Sequence, residues 1–396
     1  MENNIVKKEK LHFIDYFRAI AIVLIVAGHC IFWGKPQGII RQTNLYLFTG
    51  GTFLFVFIAG FLFQYLSYKF EYKSYLIKKW NNVVLPYIIT LIPVVIFATF
   101  TLKDVNNPLY NNAFLERFIA FLCFGTILNV PTWFISMIII FFLLSPLFLK
   151  IQKNRYLWYF ILISSILYTF FVNRPNVWKT YDSIYGDFSA IILYHIKFTL
   201  RSFFVFVSSY LYGIFCCNLM KKDKKQLSVI LKWMFIISLC LWFGIYLYEI
   251  VLQHSLNSNI AKFISISVYF SGLYLTEKYI VNKPLIDKTL KLLANYSFGI
   301  FFIHFYFIDW IHWHCIYRIY NQPTILDFAR NSSRSFLNSM FLFTVALLGS
   351  ILTIYIIMKL LKMLGIKNTR MFIGVGETFK SAKTLVGARE SNPPTC

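Results

Sequence analysis

Acidic residues are scarce: 16 Asp and Glu stand among 396 residues, and all charged residues together make up 14% of the chain. That is too little polar surface to wrap a soluble domain of this length, so most of the chain must face lipid or other apolar helices. Proline (11) and glycine (17) are few. No repeat, low-complexity run or Pro/Ser linker marks off a second domain, which leaves one domain over 1–370 and a polar tail over 371–396. The seven cysteines (30, 123, 216, 217, 240, 315, 396) lie mostly inside apolar runs and show no ligand spacing. They read as buried small hydrophobes, with no metal site and no disulfide framework implied.

Apolar residues fill the space that charge leaves. The chain is 58% hydrophobic and carries 44 Phe and 26 Tyr. Apolar runs of about twenty residues, the length that crosses a hydrocarbon core of roughly 30 Å, recur along the whole sequence. Ten candidate spans lie near 13–33, 46–67, 83–101, 133–149, 156–173, 201–219, 229–251, 262–281, 292–311 and 335–361. The class is therefore all-α: a polytopic bundle of transmembrane helices whose first partner is the lipid bilayer. The segment 111–128 carries Glu116 and Arg117 on an amphipathic pattern and reads as interfacial or re-entrant. The first run is too long for a cleavable signal, and no small-residue cleavage site follows it, so it stays as a span.

Basic residues give the orientation. With "KKEK" (7–10) in the cytoplasm, 26 of the 39 lysines and arginines fall on the cytoplasmic side, among them "YKSYLIKKW" (72–80), "KKDKK" (221–225) and the lysines between 278 and 291. An even number of spans then places both termini in the cytoplasm, by the positive-inside pattern. The net charge of +23 is a topology signal. It does not imply a nucleic-acid partner, because the charge is spread over loops and not gathered on one soluble face.

One stretch carries groups that do not belong in oil: "IDYFRAIAIVLIVAGHC" (14–30) holds Asp15, Arg18 and His29. Eleven residues make three helical turns plus about 20°, so Arg18 and His29 share a face about 16 Å apart along the axis. Asp15 is placed for an i,i+3 ion pair with Arg18. Ionisable groups inside a membrane usually face a cavity and have a partner. The plainer reading is that Asp15 and Arg18 mark the interface and His29 is a packed histidine; this stretch alone leaves both readings open.

Five motifs in order resemble the acyltransferase-3 family. "IDYFRAIAIVLIVAGH" is similar to its first helix, with an arginine, ten residues, then a histidine. "FTGGTFLFVFIAGFLF" (48–63), "YLIKKWNNVVLPYIIT" (75–90), "PTWFISMIIIFFLLSPL" (131–147) and "ANYSFGIFFIHFYF" (294–307) resemble the family's later motifs. The resemblance implies a membrane O-acyltransferase, most simply an O-acetyltransferase of the inner (cytoplasmic) membrane. Its donor would be cytoplasmic acyl-CoA, acetyl-CoA first, and its acceptor a hydroxyl on a glycan or lipid-linked saccharide such as O-antigen, capsule or exopolysaccharide. It implies Arg18, Lys78 and Lys79 for the donor phosphates, His29 as general base, and Asp15 to orient Arg18. Asn82 stands where the family usually has a second basic residue and contributes a hydrogen bond without charge. Ser136 stands near where a carboxylate is common. His304 matches the late histidine, as a helper in the pocket or a packing hydrogen-bonder. Whether a homodimer forms is left open.

Other features carry less. "HWH" at 312–314 suits interfacial anchoring better than metal binding, since residues two apart point to opposite sides of a helix. Asp182, Asp187 and His195, in a loop over 174–200, could touch an acceptor but fit a solvated loop better. Gly50–Gly51 and Gly374–Gly376 lack the setting of a phosphate loop. The rival classes are a glycan flippase or transporter, which should show internal repeats with broken helices, and a polysaccharide polymerase, which would need large exterior loops. Neither feature is seen in the sequence.

Overall fold

A computed structural model describes residues 11–31, 38–101, 132–172, 188–221, 223–254, 256–310, 335–366 and 368–376. Regular structure among these residues is helical throughout, without a strand. In chain order the helices are α1 (His12–Cys30), α2 (Ile39–Phe48), α3 (Gly51–Tyr65), α4 (Tyr72–Lys79), α5 (Leu85–Thr101), α6 (Thr132–Leu143) and α7 (Ser145–Ile151). Then follow α8 (Arg155–Phe171), α9 (Phe188–Leu219), α10 (Lys224–Tyr246), α11 (Ser258–Val281), α12 (Pro284–Trp310), α13 (Ser335–Met363) and the short α14 (Arg370–Ile373).

Six of the described helices are long and apolar enough to cross a membrane, or seven if α6 and α7, bent by 51° at their junction, form one crossing. The chain is a multi-pass helical membrane protein. Each of the ten sequence-derived segments contains helix over its described residues, but fewer than ten pass by length and composition. Helices α5 and α8 are 17 residues each, and α11 is diluted by Ser265, Ser267 and Ser271.

Helix starts fall in the polar breaks because those breaks supply caps. Asn154 accepts from the amides of Tyr156 and Leu157 at 3.1 Å, and Asp223 accepts from Lys225 at 3.1 Å. Each cap satisfies amides that a helix start leaves without an internal partner. Pro93 removes one amide from α5, and a turn earlier the Tyr306 hydroxyl of α12 donates to the Thr90 carbonyl.

Helix α1 is the hub, with α3, α11, α12 and α13 packed around it. Its Phe13 meets Phe270 edge-on at 5.6 Å, and Phe57 and Phe61 reach the same ring at 5.3 and 5.8 Å. Much of the phenylalanine content thus builds the core. At the α1 N-terminal end the Tyr16 hydroxyl donates to Asp287 at 2.5 Å, and Lys291 donates to the same carboxylate at 2.7 Å. Helices α3 and α9 touch backbone to backbone: a Cβ at Gly60 would overlap the Tyr210 carbonyl, and one at Gly213 the Phe57 carbonyl. Small residues at crossings let membrane helices approach closely, where van der Waals packing replaces the hydrophobic drive. Helix α10 turns Trp233, Ile237, Leu241 and Phe243 outward, a surface suited to lipid.

Three sequence expectations change. Helix α9 begins at Phe188, not near 201, because Ile192, Tyr194 and Phe198 extend the apolar helical pattern backwards; His195 is therefore buried in a helix and not part of a solvated loop. The tail after Arg370 is not loose over its first residues, since Ile373 and Val375 are 3% and 0% exposed against the bundle. Cys30, Cys216 and Cys217 are buried as expected, but Cys240 is exposed on the outer face of α10. The segment 111–128, Asp182, Asp187 and "HWH" lie outside the described residues.

Candidate active site

Arg18 sits one turn into α1, half-buried, where the neighbouring helix α12 supplies its nearest fixed partner. The guanidinium Nη2 donates to the Ser297 hydroxyl at 3.2 Å, and that buried hydroxyl donates onward to the Ala294 carbonyl at 2.8 Å. Asp15 lies at the limit of ion-pair distance, 4.0 Å from Nη1. Both side chains are about one-fifth exposed (22% and 21%), so the pair is partly hydrated and its attraction is modest. Ser297 is thus the firmer of the two in fixing where the guanidinium points.

Around Arg18 opens a cavity of about 410 Å³. Lys69, Lys78, Lys79, Asn82 and Arg370 line it with Arg18, and Glu71 is the carboxylate on its wall. Between α4 and α5 the residues Trp80–Val84 form a single π-helical turn, a distortion common where a helix must re-aim side chains. It carries Asn82 into the cavity just after Lys79. The Lys79 ammonium lies over the rings of Tyr75 and Phe142, 5.3 and 5.0 Å from their centroids, a favourable cation–π setting. Burial, helped by the charge of Arg370, pulls this ammonium down to about 8. Burial also lowers Arg370. The cavity wall thus accumulates positive charge that an anion would relieve.

His29 closes the other end of α1 and opens into a different cavity, of about 340 Å³, lined also by Gly28, Thr49, Gly50, Gly51 and Lys262. Gly50 adopts φ +98°, a left-handed conformation that starts α3, and a Cβ at Gly51 would collide with the Ala21 carbonyl of α1. These glycines serve a close helix crossing beside the histidine. A larger vestibule of about 680 Å³, with Gln42, Tyr46, Glu249 and His254 on its walls, shares Thr49, Ser258 and Lys262 with the His29 cavity. Lys262 donates to Ser258 at 3.2 Å at this junction.

His304 stands beside His29 from the facing helix α12. Their ring centroids are 5.6 Å apart, and Phe305 contacts both, at 4.7 Å from His29 and 4.3 Å from His304. His304 Nδ1 lies 2.8 Å from the Ile300 carbonyl. A carbonyl only accepts, so Nδ1 carries the hydrogen, and in the neutral ring the buried Nε2, which makes no hydrogen bond, is an acceptor. Phe301 packs against both His304 of this pair and the wall of the Arg18 cavity. Its ring lies 5.0 Å from Phe134 and 6.2 Å from Phe55, both on the cavity wall, and 6.3 Å from His304.

The structure therefore gathers Arg18, Lys78, Lys79 and Asn82 in one cavity, with Asp15 beside Arg18, and places His29 against His304 at the other. A family model described as an acyltransferase domain matches residues 11–359. The chain belongs to the acyltransferase-3 family. Comparisons with curated proteins and with solved structures give no match. The matched region includes both cavities except for one residue, Arg370. Around the two cavities stand further residues that the sequence did not single out: Lys69 and Arg370 on the wall of one, Lys262 on the wall of the other, and Ser297 bonded to Arg18. Ser297 lay within a quoted motif without a role. Arg370 had one signal, the short apolar run "MFIGV" directly after it.

Proposed function

We propose that this protein transfers an acyl group, acetyl first, from acyl-CoA on the cytoplasmic side to a hydroxyl of a surface or lipid-linked glycan on the other side. One observation carries the reading: Arg18 and His29 stand on a single helix and open into separate cavities at its two ends. Positive charge at the cytoplasmic end suits the phosphates of coenzyme A, whose thin arm would run along α1 and displace the Phe301 ring. The vestibule at the other end, with Glu249, Lys262, Tyr46 and His254 on its walls, offers polar and aromatic contacts for a saccharide.

In this account His29 takes the proton of the acceptor hydroxyl as its oxygen attacks the thioester carbonyl. The new C–O bond forms, the C–S bond breaks, and the departing thiolate takes the proton back from the imidazolium. His304 Nε2 can accept from a protonated His29 and so steady the imidazolium. Purified protein given labelled acetyl-CoA and membrane glycan tests the reading. Label should move to the glycan, and a protein that neither binds nor consumes acetyl-CoA would refute it.

A further inference from the structure

Residues 368–376 lie beyond the family match, yet they are built into the bundle. Helix α14 is closed by Gly374 in the left-handed region (φ +68°), whose amide donates to the Arg370 carbonyl at 3.0 Å. Thr369 donates through its hydroxyl to the Val375 carbonyl at 2.9 Å, tying the segment into a closed loop. Ile373 and Val375 are buried, and a Cβ on Gly374 would press on the Phe298 side chain at 3.1 Å. The segment packs against α5, α12 and the π-helical turn that carries Asn82. This anchoring fixes Arg370 on the cavity wall, where its side chain is partly desolvated and still reaches solvent.

The charge at that mouth is lopsided. Among the described residues, Arg18, Lys69, Lys78, Lys79 and Arg370 line the cavity, against Glu71 on its wall and Asp15 at 4.0 Å from Arg18. Gathering like charges around a partly dry space is unfavourable until a multiply charged anion enters. An arginine suits that role better than a lysine, because its fork can hold two oxygens of one phosphate.

We infer that this C-terminal strap is part of the donor site, and that Arg370 binds the nucleotide phosphates of acyl-CoA. The inference rests on the acyl-CoA reading above. The chemistry recognised is a cluster of phosphate oxygens, which an anionic lipid headgroup could also present. A strap that supplies a phosphate ligand makes donor binding depend on the chain end as well as on α1 and α4.

Two acetyl donors separate the roles: acetyl-CoA, and acetyl-N-acetylcysteamine, which carries the thioester without any phosphate. Arg370→Gln should raise KM for acetyl-CoA by about 10-fold to 100-fold, the loss expected for charge-assisted contacts. KM for the short donor and both kcat values should stay as in the wild type, and Arg370→Lys should recover part of the loss. An equal shift for both donors would show a merely structural strap, and no shift would show an unused arginine; either overturns the inference. So would a shift seen only in vesicles containing anionic lipid, which would assign the headgroup as ligand. Binding of adenosine 3′,5′-bisphosphate to the same proteins judges the phosphate contact without acyl transfer. Weaker binding by Arg370→Gln upholds it even if the acyl-transfer reading fails, and equal binding overturns it.

Discussion

Arg18 and His29 share one face of α1, eleven residues apart, and yet open into different cavities. If the first holds the donor and the second activates the acceptor, their substitutions must separate cleanly. Arg18→Ala should lose donor affinity by about 10-fold or more, and Arg18→Lys should regain part, since an ammonium cannot reproduce forked contacts. Asp15→Asn should have a smaller effect, because the ion pair is long and Ser297 also holds the guanidinium. Donor titration of the three variants checks this order; an Asp15 effect larger than that of Arg18 would contradict it.

His29→Ala should leave donor binding intact and reduce kcat by a factor of about 10² to 10⁴. His304→Phe keeps the ring volume but removes the Nε2 acceptor, and should lower kcat by a smaller factor. Because both histidines serve one proton transfer, the double variant should be no slower than His29→Ala alone. Multiplying effects in single-turnover rates would mean that the two act independently.

Phe301 packs against Phe134 and Phe55 of the Arg18 cavity wall and against His304, so its size should govern passage if the donor arm runs past it. Phe301→Trp should slow transfer from acetyl-CoA while leaving adenosine 3′,5′-bisphosphate binding unchanged. Phe301→Leu should restore transfer. Equal rates for all three proteins would place the donor arm on another route.

Lys79 predicts a pH dependence. Its ammonium, lowered from near 10.5 to about 8 by burial and by Arg370, is charged below that value and neutral above it. Arg370 lines the same cavity and reinforces the direction, while Glu71 on the same wall opposes it. Donor binding should therefore weaken as pH rises through about 8, by up to about tenfold per pH unit. For the unoccupied protein the sign is opposite. The unfolded lysine keeps its proton between about 8 and 10.5 while the folded one releases it, so folding stability rises with pH across that window. Lys79→Arg should flatten the binding profile; an unchanged slope in that variant would assign the titration elsewhere.

How much of this was legible in the sequence depends on whether the signal was local. The helical class, the stripe on α1 and the basic stretch before α5 were readable because charge in an apolar run is conspicuous and helical spacing is rigid. The pairing of His29 with His304 could be guessed only through the family motif, since their helices are far apart in sequence. Arg370 was missed because a short apolar run after a polar break resembles a frayed end until its neighbours in space are known. His195 was misplaced for a similar reason: the polar residues at 195, 197 and 201 masked the helical periodicity that continues through them. Ser297 was visible but mute, because a buried serine bonding its own helix and one guarding an arginine have the same sequence pattern.

In the proposed reaction donor and acceptor meet from opposite sides of the membrane. Labelled acetyl-CoA cannot cross a bilayer, so inside-out membrane vesicles can receive it on the cytoplasmic face alone, with glycan acceptor sealed inside. Label should appear on the enclosed glycan, and His29→Ala should slow its appearance by a factor of about 10² to 10⁴ without loss of donor binding. Transfer only when donor and acceptor share one side would contradict it.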